Sequence, residues 1–287
     1  MRYIKLLRVS HYIKNLLIFL PLLFSGTLLS NGDGFISCVI ALVCFCMVSS
    51  AIYVFNDIQD KDVDKNHPRK SQRPIASGAV SVRAAIIMIA VLLILCGVIS
   101  ALFLPPASNL FLIVYLAINI LYSIYLKHIP ILDISCVASG FLIRLMYGAF
   151  VTGIVISNWL YLTVIVTSAY MALGKRRNEL ITKGENSSRK VLDKYSIGFL
   201  DKSMTMMLTS TIMCYALWCL DSETIARYGT NRLIWTVPLV IMITLKYNLD
   251  IEKKDDGDPV EILTHDVFLI LLVLVYVCVM AGLLYFF

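Results

Sequence analysis

The chain has 287 residues, of which 59% are hydrophobic and only 15% are charged. This composition lies far outside the range of soluble globular domains and excludes a soluble enzyme or a soluble binding module. The formal net charge of +6 is therefore interpreted through membrane topology, and no nucleic-acid partner is expected.

Long apolar runs dominate the chain. A run of about 20 apolar residues can cross the hydrocarbon core of a bilayer as a single helix. Nine such runs stand between polar breaks and predict an all-α, polytopic membrane protein. The predicted spans are residues 14–31, 35–56, 84–104, 107–126, 131–152, 157–174, 203–221, 231–248 and 266–286.

The basic residues collect in alternate loops of this arrangement. With the N-terminus and every second loop in the cytoplasm, Arg144 falls within a span and only Arg227 and Arg232 fall outside, among 25 Lys and Arg residues. Cytoplasmic loops of membrane proteins carry such an excess of cations. The pattern predicts a cytoplasmic N-terminus and an external C-terminus.

Four aspartates follow the second predicted span: Asp57, Asp60, Asp62 and Asp64. If the helix runs on by two turns, Asp57, Asp60 and Asp64 lie within roughly 60° of one another, and Asp62 points to the far side. Carboxylates stacked this closely repel by several kcal/mol per pair at an effective dielectric of about 20, so a cation must lie between them. Mg²⁺ binds through one or two carboxylates and completes its shell with water and phosphate oxygens. The spacing therefore predicts Asp57, Asp60 and Asp64 as catalytic residues and metal ligands.

A basic segment with His67, Arg69, Lys70 and Arg73 follows the aspartates. Its cations suit the same polyanionic ligand, because they can bind the phosphate oxygens that the metal leaves unbound. The alternative is a solvated loop of mixed charge. Three carboxylates in register beside a bilayer favour the site.

Two further positions carry polar groups into or against the membrane. Lys14-Asn15 stands at the entrance of the first span, where it could be an interfacial anchor or could grip a phosphate. Arg144 lies within the fifth span, where a charge needs a partner or an anionic ligand. Asp133, eleven residues earlier on nearly the same face, is a candidate partner. A structural pair and direct substrate contact both stay open.

A second charged cluster ends the sixth span. Lys175 and Arg176 stand there with Glu179 one turn on, although cytoplasmic loops collect basic residues for topology alone. After the eighth span, the acidic segment 255–261 and Asp266 could form a solvated loop or a lid.

The motif Asn56-Asp57-x-x-Asp60-x-x-x-Asp64 resembles the first aspartate-rich motif of the UbiA-type membrane prenyltransferase superfamily. A closer likeness, to its polyprenyl-phosphate phosphoribosyltransferase branch, covers nearly the whole chain. It is carried by Lys14-Asn15, the stretch from Asn56 to Gly78, Tyr122-Ser123 with Leu126-Lys127, Gly140 to Arg144, Gly174-Lys175-Arg176 and the segment from Gly257 to Glu261.

The resemblance implies a single membrane-embedded transferase domain over residues 1–287, with nine helices around a central cavity that opens to lipid. The implied activity is Mg²⁺-dependent transfer of 5-phosphoribose from phosphoribosyl pyrophosphate to a polyprenyl phosphate. The products are polyprenyl-phosphoryl-5-phosphoribose and pyrophosphate. The implied location is a bacterial inner membrane with the active site on the cytoplasmic side, and such a bundle could self-associate as a homo-oligomer.

The resemblance also implies roles for individual residues. Asn56 orients the shell of the metal. The cations that bind phosphates of the donor are Lys70, Arg73, Lys175 and Arg176. The further substrate-binding positions, for the donor or for the lipid phosphate, are Lys14, Asn15, Tyr122, Lys127 and Arg144.

Two rival functions differ from this one in features of the sequence. An aromatic prenyltransferase, which uses a prenyl diphosphate, typically has a second aspartate-rich motif after the sixth span. Here that position holds Lys175, Arg176, Arg177 and Glu179. A transporter would place its anion site near the bilayer midplane, whereas these clusters crowd one face and only Arg144 lies deeper.

Overall fold

The computed structural model describes residues 2–66, 70–181, 190–253 and 266–285, and every regular element in these ranges is a helix. Eight long helices follow in chain order: α1 (Gly32–Gln59), α2 (Val82–Phe103), α3 (Asn109–Ile124), α4 (Leu132–Thr152), α5 (Asn158–Ile181), α6 (Ile197–Leu220), α7 (Val237–Lys253) and α8 (Val267–Tyr285). The short helical segments before and between them are Arg2–Leu7, Val9–Phe19, Leu20–Leu23, Lys61–Lys65, Lys70–Gln72, Pro106–Ser108, Leu126–His128, Lys190–Lys194, Ser222–Tyr228 and Arg232–Thr236.

Seven helical segments within the described ranges are long and apolar enough to cross a membrane. The predicted count of nine is therefore not confirmed. In place of the first predicted span, the chain forms a shorter apolar helical segment, Val9–Leu23. Helix α5 covers the sixth predicted span but is not among the seven, and a polar run from Lys175 to Glu179 lies near its end. The chain is nevertheless a multi-pass membrane protein.

The chain divides into two compact units. Unit 1 comprises Met1–Lys127 and Ile143–Ile154, and unit 2 comprises His128–Leu142 and Val155–Phe287. Helix α4 gives its first half to unit 2 and its second half to unit 1. Unit 1 is therefore discontinuous in the sequence.

Helix α1 is the central element of unit 1. The Asn31 side chain caps its first turn by accepting the Gly34 N–H at 2.8 Å, which satisfies one of the amides that a helix start leaves unpaired. Along its length, Phe45 and Ile52 pack in one buried cluster with Tyr147 of α4. Inside a bilayer such packing is stabilised by close contact of side chains, because lipid tails are as apolar as the side chains themselves.

Gly148 of α4 allows a very close approach to the N-terminal segment. A Cβ atom at this position would overlap the backbone carbonyl of Ile18. Small residues at helix contacts in membranes permit such approaches. Because a backbone atom cannot turn away as a side chain can, only glycine fits here without a shift of the main chain.

Gly148→Ala is therefore expected to lower the free energy of unfolding by about 2–3 kcal/mol, the cost of overpacking a filled contact. The measurement is thermal unfolding of the detergent-solubilised protein, followed by circular dichroism. Gly97→Ala in α2 is the matched control, since no atom lies within 4 Å of its added Cβ. That variant is expected to be unchanged or slightly more stable, and equal losses in the two variants would contradict the assignment.

Unit 2 is built around helices α5 and α6. Ser196 caps α6 by accepting the Phe199 N–H at 3.1 Å. Leu200 of α6 then lies in a buried cluster with Leu173 of α5 and Ile251 of α7. This packing fixes the polar end of α5, which begins immediately after Leu173.

Candidate active site

The acidic segment does not form one uninterrupted helix, the condition under which its three aspartates were expected to share a face. Helix α1 ends at Gln59, Asp60 is its C-cap, and a separate short helix covers Lys61–Lys65. The backbone still turns in a helical sense, because Asp64 N–H donates to Asp60 O at 2.8 Å. Asp57 and Asp64 are consequently buried, and the side chain of Asp62 is 88% exposed, on the far side as expected.

Basic side chains of unit 1 bind these carboxylates. Arg73 donates from Nη1 to Asp64 Oδ2 at 2.6 Å and to Asp57 Oδ1 at 3.2 Å. Lys127 Nζ donates to Asp60 Oδ1 at 2.9 Å. Arg73 is held at the end of the turn Lys70–Gln72, where its N–H donates to Lys70 O at 2.9 Å. The structure thus joins two predicted phosphate-binding cations to the predicted metal ligands.

Arg8 is a member of this cluster that the sequence analysis missed. Its Nη2 donates to Asp57 Oδ1, and its guanidinium carbon lies 5.0 Å from the centre of the Tyr53 ring. The backbone of Arg8 is left-handed, with φ 51° and ψ 52°, a conformation that costs a non-glycine residue about 1–2 kcal/mol. A contact between residues 49 positions apart leaves no local pattern in the sequence.

Two of the three predicted metal ligands in unit 1 are arranged to suit a hard divalent cation. Within the described ranges, no group of three or more His, Cys, Asp or Glu is arranged to hold a metal ion. Asp57 and Asp64 nevertheless converge on one nitrogen of Arg73, so two buried carboxylates already share one cation. Mg²⁺ needs no larger protein set, since water and substrate phosphates supply its other ligands. The pair Asp57 and Asp64 therefore fits Mg²⁺, while Asp60 is turned to Lys127.

Other predicted positions also belong to unit 1. Asn56 Oδ1 accepts a hydrogen bond from Ser123 Oγ, which ties the end of α1 to α3. The side chains of Lys14, Lys70 and Tyr122 are half-buried. His67 and Arg69 lie outside the described residues.

Arg144 is buried within unit 1 and binds another predicted substrate residue. Its Nε donates to Asn15 Oδ1 at 2.7 Å and its Nη2 to Tyr115 Oη at 2.9 Å. The guanidinium carbon also lies 4.7 Å from the Phe45 ring centre, a cation–π arrangement that stabilises a desolvated charge. The suggested pairing with Asp133 is wrong, because eleven residues span about 16 Å along a helix axis.

The charged cluster of unit 2 is a buried network. Arg176 is only 2% exposed. Its Nε donates to Asp133 Oδ2 at 2.6 Å and its Nη1 to Glu179 Oε2 at 2.7 Å. Tyr195 donates to Asp133 Oδ1 at 2.6 Å and accepts the N–H of Ile131 at 2.6 Å. Burial raises the pKa of Tyr195, so its hydroxyl keeps the proton that it donates.

The remaining predicted positions of unit 2 are placed as follows. Lys175 is half-buried on α5. Asp266 accepts a hydrogen bond from Lys246 at 2.6 Å, and this bond lowers the pKa of the Asp266 carboxyl. Lys246 also binds Asp250 at 2.5 Å. The acidic segment 255–261 lies outside the described residues.

Comparison with known proteins finds one family that matches most of the chain. The UbiA prenyltransferase family matches residues 18–272. The decaprenyl-phosphate phosphoribosyltransferase of Corynebacterium glutamicum is 35% identical over 282 residues, which cover 96% of this chain and 84% of that protein. The enzyme of the same name from Mycolicibacterium smegmatis is 32% identical over 299 residues, covering 99% and 92%.

A solved structure shares the fold. The UbiA homologue from Archaeoglobus fulgidus bound to GPP and Mg²⁺ superposes with a TM-score of 0.75 at 21% identity, covering 99% of each chain. At this identity, the likeness concerns the fold alone.

Proposed function

We propose, since the chain belongs to the UbiA prenyltransferase family, that it transfers 5-phosphoribose from phosphoribosyl pyrophosphate to a polyprenyl phosphate and releases pyrophosphate. The observation that carries the proposal is the near-full-length identity of 35% and 32% to two decaprenyl-phosphate phosphoribosyltransferases. A site in which three aspartates meet three cations also suits a donor with several phosphates. The likeness to the wider family alone would fit a prenyltransferase equally well.

The proposed reaction requires little proton transfer by the protein. An oxygen of the lipid phosphate forms a bond to C1 of the ribose as the bond from C1 to pyrophosphate breaks. The attacking oxygen is already anionic at neutral pH, so no general base is required, and positioning and electrostatics carry the catalysis. Bound Mg²⁺ would neutralise charge on the leaving pyrophosphate.

The proposed roles of the residues differ between the two charged clusters, one in unit 1 and one in unit 2. In unit 1, Asp57 and Asp64 hold the metal, with Asp60 beside them. Asn56 orients the metal's shell. The proposed phosphate-binding residues of unit 1 are Lys14, Asn15, Lys70, Arg73, Tyr122, Lys127 and Arg144. In unit 2, Lys175 and Arg176 are proposed to bind phosphates of the donor. The buried network of Arg176 supports a positioning role for it as well.

The proposal also includes the orientation in the membrane. The N-terminus and the aspartate cluster are placed on the cytoplasmic side and the C-terminus outside, in accord with the positive-inside rule. The donor is a water-soluble polyanion, so its site must face an aqueous compartment. The lipid acceptor reaches the same protein from the bilayer.

A direct turnover assay tests the reaction. Purified protein in detergent is supplied with polyprenyl phosphate, radiolabelled phosphoribosyl pyrophosphate and Mg²⁺. Label is expected to enter the lipid fraction, to fall at least about 100-fold with a chelator, and to recover when Mg²⁺ is restored. No transfer from this donor, together with consumption of a prenyl diphosphate, would overturn the proposal in favour of an aromatic prenyltransferase.

A further inference from the structure

We propose that Arg8 is an exchangeable counter-ion of Asp57. Its guanidinium neutralises the buried carboxylate while no divalent metal is bound, and it turns to the anionic donor when the metal takes its place. The identity of that donor rests on the proposed function, whereas the competition between Arg8 and the metal does not.

The residues on both sides of Arg8 are bound to helix α1. Ser50 donates from Oγ to Leu7 O at 3.0 Å, and the Tyr12 hydroxyl lies 2.7 Å from the same Oγ. Leu6 is fully buried against Val54. Arg8 therefore stays at the entrance of the cluster, and only its side chain can move.

The side chain of Arg8 is held against an aromatic ring and is partly exposed, so its guanidinium can rotate. Its guanidinium lies over the ring of Tyr53, which can keep hold of a cation as the terminal bonds rotate. The side chain is 23% exposed, whereas that of Asp57 is 3% exposed. A carboxylate so buried needs a cation beside it at all times, because desolvation of an unpaired charge is very costly.

Arg8 contacts the carboxylates of the cluster through Asp57, whereas Arg73 bridges Asp57 and Asp64. Both guanidinium groups donate to the same oxygen, Oδ1 of Asp57. Arg73 has a second and shorter bond, to Asp64 at 2.6 Å, and a longer one to Asp57 at 3.2 Å. A metal held by Asp57 and Asp64 would compete with both guanidinium groups, and Arg8 is the one that is bound to the metal ligands through Asp57 alone.

The charges of the cluster give the exchange a direction. Asp57, Asp60 and Asp64 are matched by Arg8, Arg73 and Lys127. A divalent cation alone would add two positive charges to these ion pairs, whereas a metal with a polyanion would not. Once the metal displaces Arg8, its guanidinium is therefore available to donate hydrogen bonds to the phosphate that accompanies the metal.

The test measures metal affinity without catalysis. Mn²⁺ binding to metal-free protein is followed by electron paramagnetic resonance, with Mn²⁺ as the probe. Arg8→Gln is expected to bind Mn²⁺ about tenfold more tightly, because a charged competitor at Asp57 is gone. The same variant is expected to bind pyrophosphate about tenfold more weakly in the presence of Mn²⁺ and to show a KM for phosphoribosyl pyrophosphate raised by a similar factor. Lys5→Gln removes the same charge from the exposed side of the segment and should change each value less than about twofold.

The opposite signs separate this role from a merely structural one. A variant that only loosened the fold would bind both Mn²⁺ and pyrophosphate more weakly, and that result, or an unchanged Mn²⁺ affinity, would overturn the proposal. If Arg8→Gln does not fold, Arg8→Met keeps the long apolar stem against Tyr53 and is judged by the same two affinities. If the wild type transfers no phosphoribose but Arg8→Gln still tightens Mn²⁺ and weakens pyrophosphate, the proposed function fails and the exchange at Asp57 stands.

Discussion

Asp57→Asn is expected to lower kcat/KM for phosphoribosyl transfer by about 10³-fold, the scale on which loss of one preorganised electrostatic contact acts. The change keeps the shape of the side chain but removes one of the two buried carboxylates that converge on Arg73. It also leaves Arg8 without its anionic partner. Metal binding and charge balance should therefore fail together, and the measurement is transfer of label from phosphoribosyl pyrophosphate to lipid over a range of Mg²⁺ concentrations.

Asp62→Asn is the matched control for this prediction. Asp62 belongs to the same run of aspartates, yet its exposed side chain binds the exposed Lys65, at 3.0 Å. Exposed ion pairs of this kind contribute little, so the control should keep activity within about twofold. Equal losses in the two variants would mean that the general negative charge of the segment matters, and not the buried carboxylate.

Arg176→Gln is expected to lower the free energy of unfolding by about 3–5 kcal/mol, the cost of removing one partner from a buried ion pair. Asp133 is fully buried and would lose the guanidinium that it binds. Glu179 would lose its partner on the same helix as well. The measurement is thermal unfolding in detergent, with substrate absent so that ligand binding does not contribute.

Arg177→Gln is the control next to it in the chain. Its partner Asp201 is about half exposed, so solvent can replace the lost contact and the expected effect is below about 1 kcal/mol. The double variant of Asp133→Asn with Arg176→Gln should regain part of the lost stability, since it removes both buried charges. A single variant as stable as the wild type would show that water reaches this network.

The membrane helices could largely be predicted from the sequence, because apolar runs report directly on contact with lipid. The first predicted span is not the regular α-helix that hydropathy suggests, for a reason that hydropathy cannot register. Val9–Phe19 is a 3₁₀ helix, and Pro21 stands at the start of the short helix Leu20–Leu23. A proline lacks the N–H of a helix interior, and Gly26 then takes a left-handed backbone. The residues are apolar enough, but the backbone does not form one long helix.

The candidate site could be predicted only where its pattern is local. The spacing of the aspartates pointed to this segment, yet it could not show that α1 ends at Gln59 and turns Asp60 to Lys127. Partners that lie far apart in the chain were missed altogether. Neither the contact of Arg8 with Asp57 nor that of Arg176 with Asp133 follows from any periodicity. Both join helix ends that only the folded chain brings together.

The discontinuity of unit 1 bears on how such a protein could have arisen. A fragment that stopped at Lys127 would lack residues 143–154, and with them Arg144, the partner of Asn15. It would leave uncovered the surface against which Gly148 packs. The first half of the chain therefore lacks part of the unit to which it belongs, and a history in which two half-length ancestors were fused must also explain how α4 came to be divided between the two units.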